Sequence, residues 1–143
     1  LGNMKINNFI LLSFLFFNFN SFAGEVFLKV EEIEDKVGFI HVALYDKPEN
    51  FPKKNGKLVG LKIEVSKMIK EGVTIKNLKQ SNYAIAIFHD KNSNNKFDKF
   101  LSIPNEKYGF SNNAPVFFGP PKFEEAAFFL SANERLELEI KLR

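Results

Sequence analysis

Apolar positions recur along this chain with a period of two. At the C-terminal end Leu136, Leu138, Ile140 and Leu142 alternate with Arg135, Glu137, Glu139 and Lys141, the pattern of a strand with one buried and one wet face. Residues 25–33 repeat it, with Val26, Leu28 and Val30 set against Lys29 and Glu31, and Asp35-Lys36-Val37-Gly38 offers a turn into a second strand over 39–45. These two strands are expected to form a hairpin. Leu61, Ile63 and Val65 alternate with Lys62, Glu64 and Ser66, and residues 73–78 read as another short strand after Glu71-Gly72. Over 83–88 neither face is polar: Tyr83, Ile85 and Ile87 point one way and Ala84, Ala86 and Phe88 the other, which predicts a central strand. The stretch 123–130 fits a strand or, through Phe123, Ala126, Ala127 and Leu130, a helical turn; the Pro120-Pro121 lead-in favours the strand. About seven short strands without a persistent amphipathic helix predict an all-β fold, a single antiparallel β-sandwich of prealbumin- or immunoglobulin-like kind.

The front of the chain has a different texture. Lys5 follows Met4, an apolar run over 9–19 is broken only by Ser13 and Asn18, and Ser21-Phe22-Ala23 precedes Gly24. That is the layout of a secretory signal peptide over residues 1–23, with Gly24 as the mature start and residues 24–143 as one β-sandwich domain. The run falls short of the roughly 20 apolar residues that a membrane span needs. The expected destination is periplasmic or secreted, with no stable membrane span after cleavage.

Composition narrows the chemistry. There is no cysteine among the 143 residues, so a disulfide framework, a zinc ribbon and a cysteine nucleophile are excluded. With 20 Lys+Arg against 17 Asp+Glu the net charge is only +3, too small for a nucleic-acid field, and no aromatic interleaving of the single-strand-binding kind accompanies it. The lysines are unevenly placed, however: residues 47–79 hold nine against Glu49, Glu64 and Glu71. The favoured reading of such a face is that it keeps the protein soluble; the alternative is attraction to anionic lipid or polysaccharide. A cysteine-free exported domain cannot tie down long loops with disulfides, which makes a bound cation a reasonable substitute.

From residue 89 to 122 the strand pattern stops, and a stretch this long without regular structure implies function or an internal tie. Asp90, Asn92, Asn94 and Asp98 are spaced D-x-N-x-N-x-x-x-D, which puts side-chain oxygens at positions 1, 3, 5 and 9 of an EF-hand-like count, with the Lys96 carbonyl at position 7. Hard oxygen donors on a tight loop suit calcium. Position 6 is Asn95 where glycine is usual, and position 12 is Leu101 where a bidentate glutamate belongs, so Glu106 is the acid expected to complete the shell. The alternative is a set of Asx turns in which Asn and Asp bond their own backbone.

Tyr83-Ala-Ile-Ala-Ile-Phe-His-Asp90, Asn92-x-Asn94, Asp98, Ile103-Pro104-x-Glu106-x-x-Gly109-Phe110-Ser111-Asn112-Asn113 and Gly119-Pro120-Pro121-x-Phe123-x-x-Ala126 follow one another over about 45 residues. This series resembles the signature of a bacterial family of exported domains of unknown function. The resemblance covers nearly the whole expected mature chain and implies a secreted β-sandwich of roughly this length, with no established activity and no catalytic residues to carry over. The sequence departs from the family pattern at Lys79-Gln80-Ser81-Asn82, where a proline-glycine turn is usual, and at Asn95, where glycine is expected.

Catalytic readings have little to work with. His41 and His89 are the two histidines. His41 shares a strand face with Phe39, Ala43 and Tyr45 and reads as a packed or edge residue, while His89 reads as a residue that orders the loop next to Asp90. Neither stands in a Gly-x-Ser-x-Gly or His-Glu-x-x-His pattern. A small periplasmic hydrolase with its site around His89, Asp98 and Glu106 remains the enzyme alternative, Asp98 and Glu106 serving as the acid and base pair. The favoured expectation is a non-enzymatic module whose calcium-stabilised loop presents a surface of His89, Tyr108, Phe110, Asn112, Asn113, Phe117 and Phe118 to a cell-envelope protein or polysaccharide.

Overall fold

The computed structural model describes residues 23–143; the expected signal peptide, bar Ala23, lies outside the described residues, as does the side chain of Phe100. No helix of the described residues is long and apolar enough to cross a membrane. The alternating segments form two sheets. In the smaller, β1 (Gly24–Glu31) lies between β4 (Val73–Leu78), antiparallel to it, and β10 (Arg135–Lys141), which runs parallel. In the larger, the order is β3 (Val59–Glu64), β2 (Phe39–Tyr45), β5 (Ser81–Asp90) and β8 (Tyr108–Phe110), all antiparallel, with β9 (Phe128–Leu130) pairing the start of β5. A two-stranded ribbon of β6 (Lys99–Phe100) and β7 (Ile103–Pro104) stands apart within the long loop.

The expected hairpin between the first two strands does not form. β1 and β2 belong to opposite sheets, and β2 pairs with β3 and β5 instead. Alternation fixes which face of a strand is buried but not its partner, and both strands meet their burial requirement by facing each other across the core. Val26, Leu28 and Val30 of β1 pack there with Ile40, Val42 and Leu44 of β2, Ile85 and Ile87 of β5, and Ile140 and Leu142.

Two further segments differ from expectation. Val65, which continues the alternation of Leu61 and Ile63, begins a helix, α1 (Val65–Glu71), that buries Val65 and Met68 one turn apart. It ends at Gly72, whose φ of 65° and whose approach to β1 leave no room for a side chain: a Cβ would stand 2.7 Å from the Leu28 carbonyl oxygen. Residues 123–130 divide between the two readings. Phe123 and Ala126 form the buried side of α2 (Phe123–Ala126), after which β9 begins at Phe128.

A second apolar cluster sits on the outer side of the larger sheet, where Phe51, Phe110, Ala114, Phe123 and Ala126 pack over Tyr45 and Ala84. β5 is therefore enclosed on both faces at its first half, as its two apolar faces predict. Ser111 ties this cover down: its hydroxyl accepts from the Ile85 N–H at 2.8 Å and donates to the Ala126 carbonyl at 2.5 Å, fully buried. β8 in turn reaches across to the smaller sheet, Tyr108 and Arg143 exchanging backbone bonds of 3.3 and 3.0 Å. Gly109 permits that approach, since a Cβ there would lie 2.5 Å from the Lys141 carbonyl oxygen. Replacing Ser111 by Ala orphans the buried Ile85 N–H and Ala126 carbonyl together. The expected cost is about 2–3 kcal/mol in urea or thermal unfolding; a loss under about 0.5 kcal/mol would show that the cover is not fastened here.

Candidate ligand groove and Asp/Asn loop

Strand register decides what the outer face of the larger sheet looks like. Lys62, His41, Phe88 and Tyr108 fall in one cross-strand row, and Gly60, Ala43, Ala86 and Phe110 in the next. Three small residues aligned across three strands leave a trough between bulkier rows. Its walls are aromatic. His41 stacks flat on Phe88, with centroids 4.5 Å apart, and Phe97 folds down from the long loop to 5.4 Å from Phe88 and 5.8 Å from Tyr108. Tyr45, braced by its hydroxyl on the Lys53 carbonyl at 2.9 Å, and Phe110 close the other side.

The resulting groove has a volume of about 990 Å³. Lys54, Lys57, Lys62, Lys96 and Lys99 stand around it, and no carboxylate lines it. Among the described residues none of these five lysines is in an ion pair. Lys62 instead donates to the Asn95 side-chain oxygen at 2.6 Å and lies 4.0 Å from the centre of the Phe39 ring, and Lys99 lies 5.5 Å from the Phe97 ring. Positive charge over an apolar floor, with no internal counter-charge, is a site that attracts anions.

Behind one end of the groove, Asp90 is fully buried at the end of β5. Register places it diagonal to His41, on the same face, and its Oδ2 lies 3.0 Å from His41 Nε2. The same carboxylate accepts the backbone N–H groups of Asn94 at 3.0 Å and Asn95 at 2.9 Å, which turns the chain back on itself. Asn92 Oδ1 accepts from Asn94 N–H and Asn94 Oδ1 from Lys96 N–H, two consecutive Asx turns, while both Asn side-chain amides donate to Asp98 Oδ2, at 2.7 and 2.8 Å. Ser93 and Asn95 take the positive φ values, 62° and 61°, that this winding requires. Glu106 is buried and spans the base of the loop, Oε1 accepting from Lys91 N–H and Oε2 from Asp98 N–H.

Side chains expected to form the site are thus sorted into three places. Asp90, Asn92, Asn94 and Asp98 converge in one hydrogen-bonded knot, with Glu106 bracing it. Tyr108, Phe110, Phe117 and Phe118 line the groove. His89, Asn112 and Asn113 do neither. His89 is buried on the core side with Nε2 donating to the Val37 carbonyl at 2.7 Å, Asn112 holds the Ala127 carbonyl at 2.7 Å, and Asn113 binds Lys141 and Arg143. The sequence reading missed the His41–Asp90 pair, the five-lysine rim and the trough of small residues. The last was detectable in principle, because Ala84 and Ala86 are the small residues on one face of a strand recognised as central.

For a cation, the loop offers oxygens with lone pairs to spare. Asp98 Oδ1 has no hydrogen-bond partner in the loop, and Asn92 Oδ1 and Asn94 Oδ1 each accept one bond. Among the described residues no three His, Asp or Glu side chains form a metal-binding group, so any shell here depends on amide and backbone oxygens. Burial acts to raise the Asp90 pKa, but the Asn95 and Asn94 amides and His41 outweigh it and hold the carboxyl below its ordinary value. Glu106 goes the other way, raised chiefly by burial, with the Asp98 and Asp90 charges adding to it.

These opposite shifts give opposite pH dependences. A depressed carboxyl stabilises the fold above its unfolded pKa of 3.8, and this stabilisation is lost as pH falls through the lower folded value. A raised carboxyl costs stability as pH rises from the unfolded 4.5 through the higher folded value. Melting curves across the acid range are expected to show Asp90→Asn losing less stability than wild type as pH falls, and Glu106→Gln gaining relative to wild type as pH rises past 4.5. Near neutral pH, Asp90→Ala should cost about 2–4 kcal/mol, since its bonds are to a charged acceptor.

No curated protein and no solved structure matches the chain. The family described as "Uncharacterized protein conserved in bacteria" (DUF2141) matches residues 28–137, from β1 to β10, and so takes in both sheets, the groove and the Asp/Asn loop. The chain belongs to this bacterial family.

Proposed function

We propose that the chain is an exported, non-enzymatic binding module whose groove takes an anionic ligand with an extended apolar body, and whose Asp/Asn loop is stiffened by calcium. One observation carries the reading: a groove of about 990 Å³ floored by Ala43, Ala86 and aromatic rings and ringed by five lysines that, among the described residues, are in no ion pair and meet no carboxylate in the lining. Within the expectation of a cell-envelope partner, this lining favours an acyl or aryl anion over a polysaccharide. Sugar hydroxyls need acceptors as well as donors, and lysine offers only donors. Export is supported by β1 beginning at Gly24, the residue that follows the expected cleavage point.

Calcium is supported by the donor chemistry of Asp90, Asn92, Asn94, Asp98 and the Lys96 carbonyl, with Glu106 holding the loop closed from below. The hydrolase alternative draws less support. The His89 ring is committed to the Val37 carbonyl and both Glu106 oxygens to backbone amides, so neither is poised toward the groove.

Two measurements test the two halves. An environment-sensitive anionic dye such as anilinonaphthalene sulfonate should brighten on binding and be displaced by decanoate but not by decanol, and Ala86→Leu, which fills the trough, should weaken binding about tenfold or more. Displacement by the alcohol as effectively as by the acid would remove the role of the lysines. For the loop, calcium at a hundredfold excess over its dissociation constant should add about 2.7 kcal/mol of stability. Asp98→Asn should lose most of that gain yet melt near wild type in chelator. Equal melting of wild type with calcium and with chelator would leave the loop as a set of Asx turns.

A further inference from the structure

The four most exposed large apolar side chains among the described residues are Phe118 at 107 %, Leu101 at 82 %, Phe117 at 81 % and Ile103 at 68 % of full exposure. They come from two separate segments, the tip of the β6–β7 ribbon and the loop ahead of Pro120-Pro121, yet Ile103, Phe117 and Phe118 all line the mouth of the same groove. Isolated exposed apolar residues are ordinary, but a cluster that frames a concave site marks an interaction surface. The backbone under one of them is strained to hold it there. Leu101 and Ser102 both have positive φ, 47° and 67°, in a two-residue turn where Asn-Gly would be at ease. A leucine in that conformation with its side chain in water is favoured neither by the turn nor by the core.

Charge identifies what covers these tips. Lys96 and Lys99 flank the ribbon and Lys54 and Lys57 stand across the groove, all exposed, and among the described residues none is in an ion pair and no carboxylate lines the groove between them. Aromatic and aliphatic tips ringed by lysines match the boundary of an anionic bilayer, where apolar side chains enter the acyl region and ammonium groups meet the headgroups. An acidic protein partner would satisfy the lysines but leave the tips in need of an apolar pocket.

We propose that the mouth of the groove docks on an anionic lipid bilayer, with Leu101, Ile103, Phe117 and Phe118 inserted at the interface, and that the bilayer supplies the groove's ligand. This rests on the groove reading above.

Sedimentation with vesicles of phosphatidylcholine, with and without phosphatidylglycerol, tests it, alongside decanoate displacement of the dye in solution. The protein is expected to bind only the anionic vesicles. The double variant Phe117→Ser/Phe118→Ser should lower partitioning by at least about tenfold with an unchanged melting temperature, and Lys96→Glu/Lys99→Glu should lower it similarly and weaken its salt dependence. Phe129→Ser, which alters an exposed phenylalanine away from the groove, should bind as wild type does. Decanoate binding without vesicle binding would overturn the docking and leave the groove reading intact. Vesicle binding without decanoate binding would overturn the groove reading, and with it the supply of ligand from the bilayer. Vesicle binding that survives loss of both phenylalanines but vanishes in salt would make the surface a general polyanion patch and overturn the insertion.

Discussion

The outer face of this domain is organised by the burial of one carboxylate. Asp90 ends the central strand with no access to water, and every group that makes its burial tolerable belongs to a different part of the site. The His41 ring, held flat against Phe88, fixes one wall of the trough. The amides of Asn94 and Asn95 fix the first turn of the long loop, from which Lys96 and Phe97 come back over the groove. A charge that must be satisfied from both sides couples the rigid sheet to the long loop, so loop and wall hold one geometry together.

β5 faces two different environments. Its inner face gives Tyr83, Ile85 and Ile87 to the core between the sheets, where packing sets stability. Its outer face carries Ala84 under the aromatic cover, Ala86 in the floor of the trough, Phe88 in the wall and Asp90 at its end. The shape of the trough is therefore set at Ala86, Gly60 and Ala43, none of which belongs to the core between the sheets.

Much of this was legible in the sequence, and the misses share a cause. The period of two located β1, β2, β5 and β10 and their buried faces, because facing is a local property of a strand. Partnership is not local: nothing in the alternation of Val26, Leu28 and Val30 indicates that their sheet neighbours are β4 and the last strand of the chain. Val65 shows how a single residue serves two periods, third in an alternating run and first in a helical one. At the site, the knot of Asp90, Asn92, Asn94 and Asp98 was legible because its members lie within nine residues. The His41–Asp90 pair, 49 residues apart, required the register of two strands to be known. The lysine rim was visible only as a run of positive charge, since which lysines face the trough depends on how β3 and the loops are placed.

The parallel pairing of β1 with β10 has a bearing on how the domain is made. Arg135 and Glu25, joined side chain to side chain, are 110 positions apart, so this edge of β1 is covered by a strand from the far end of the domain. Until β10 is in place, the central strand of the smaller sheet has one bare edge and its apolar face lacks the cover of Ile140 and Leu142. Contacts of such long range are slow to form. The smaller sheet is thus expected to close after the larger one, whose strands pair over shorter separations along the chain.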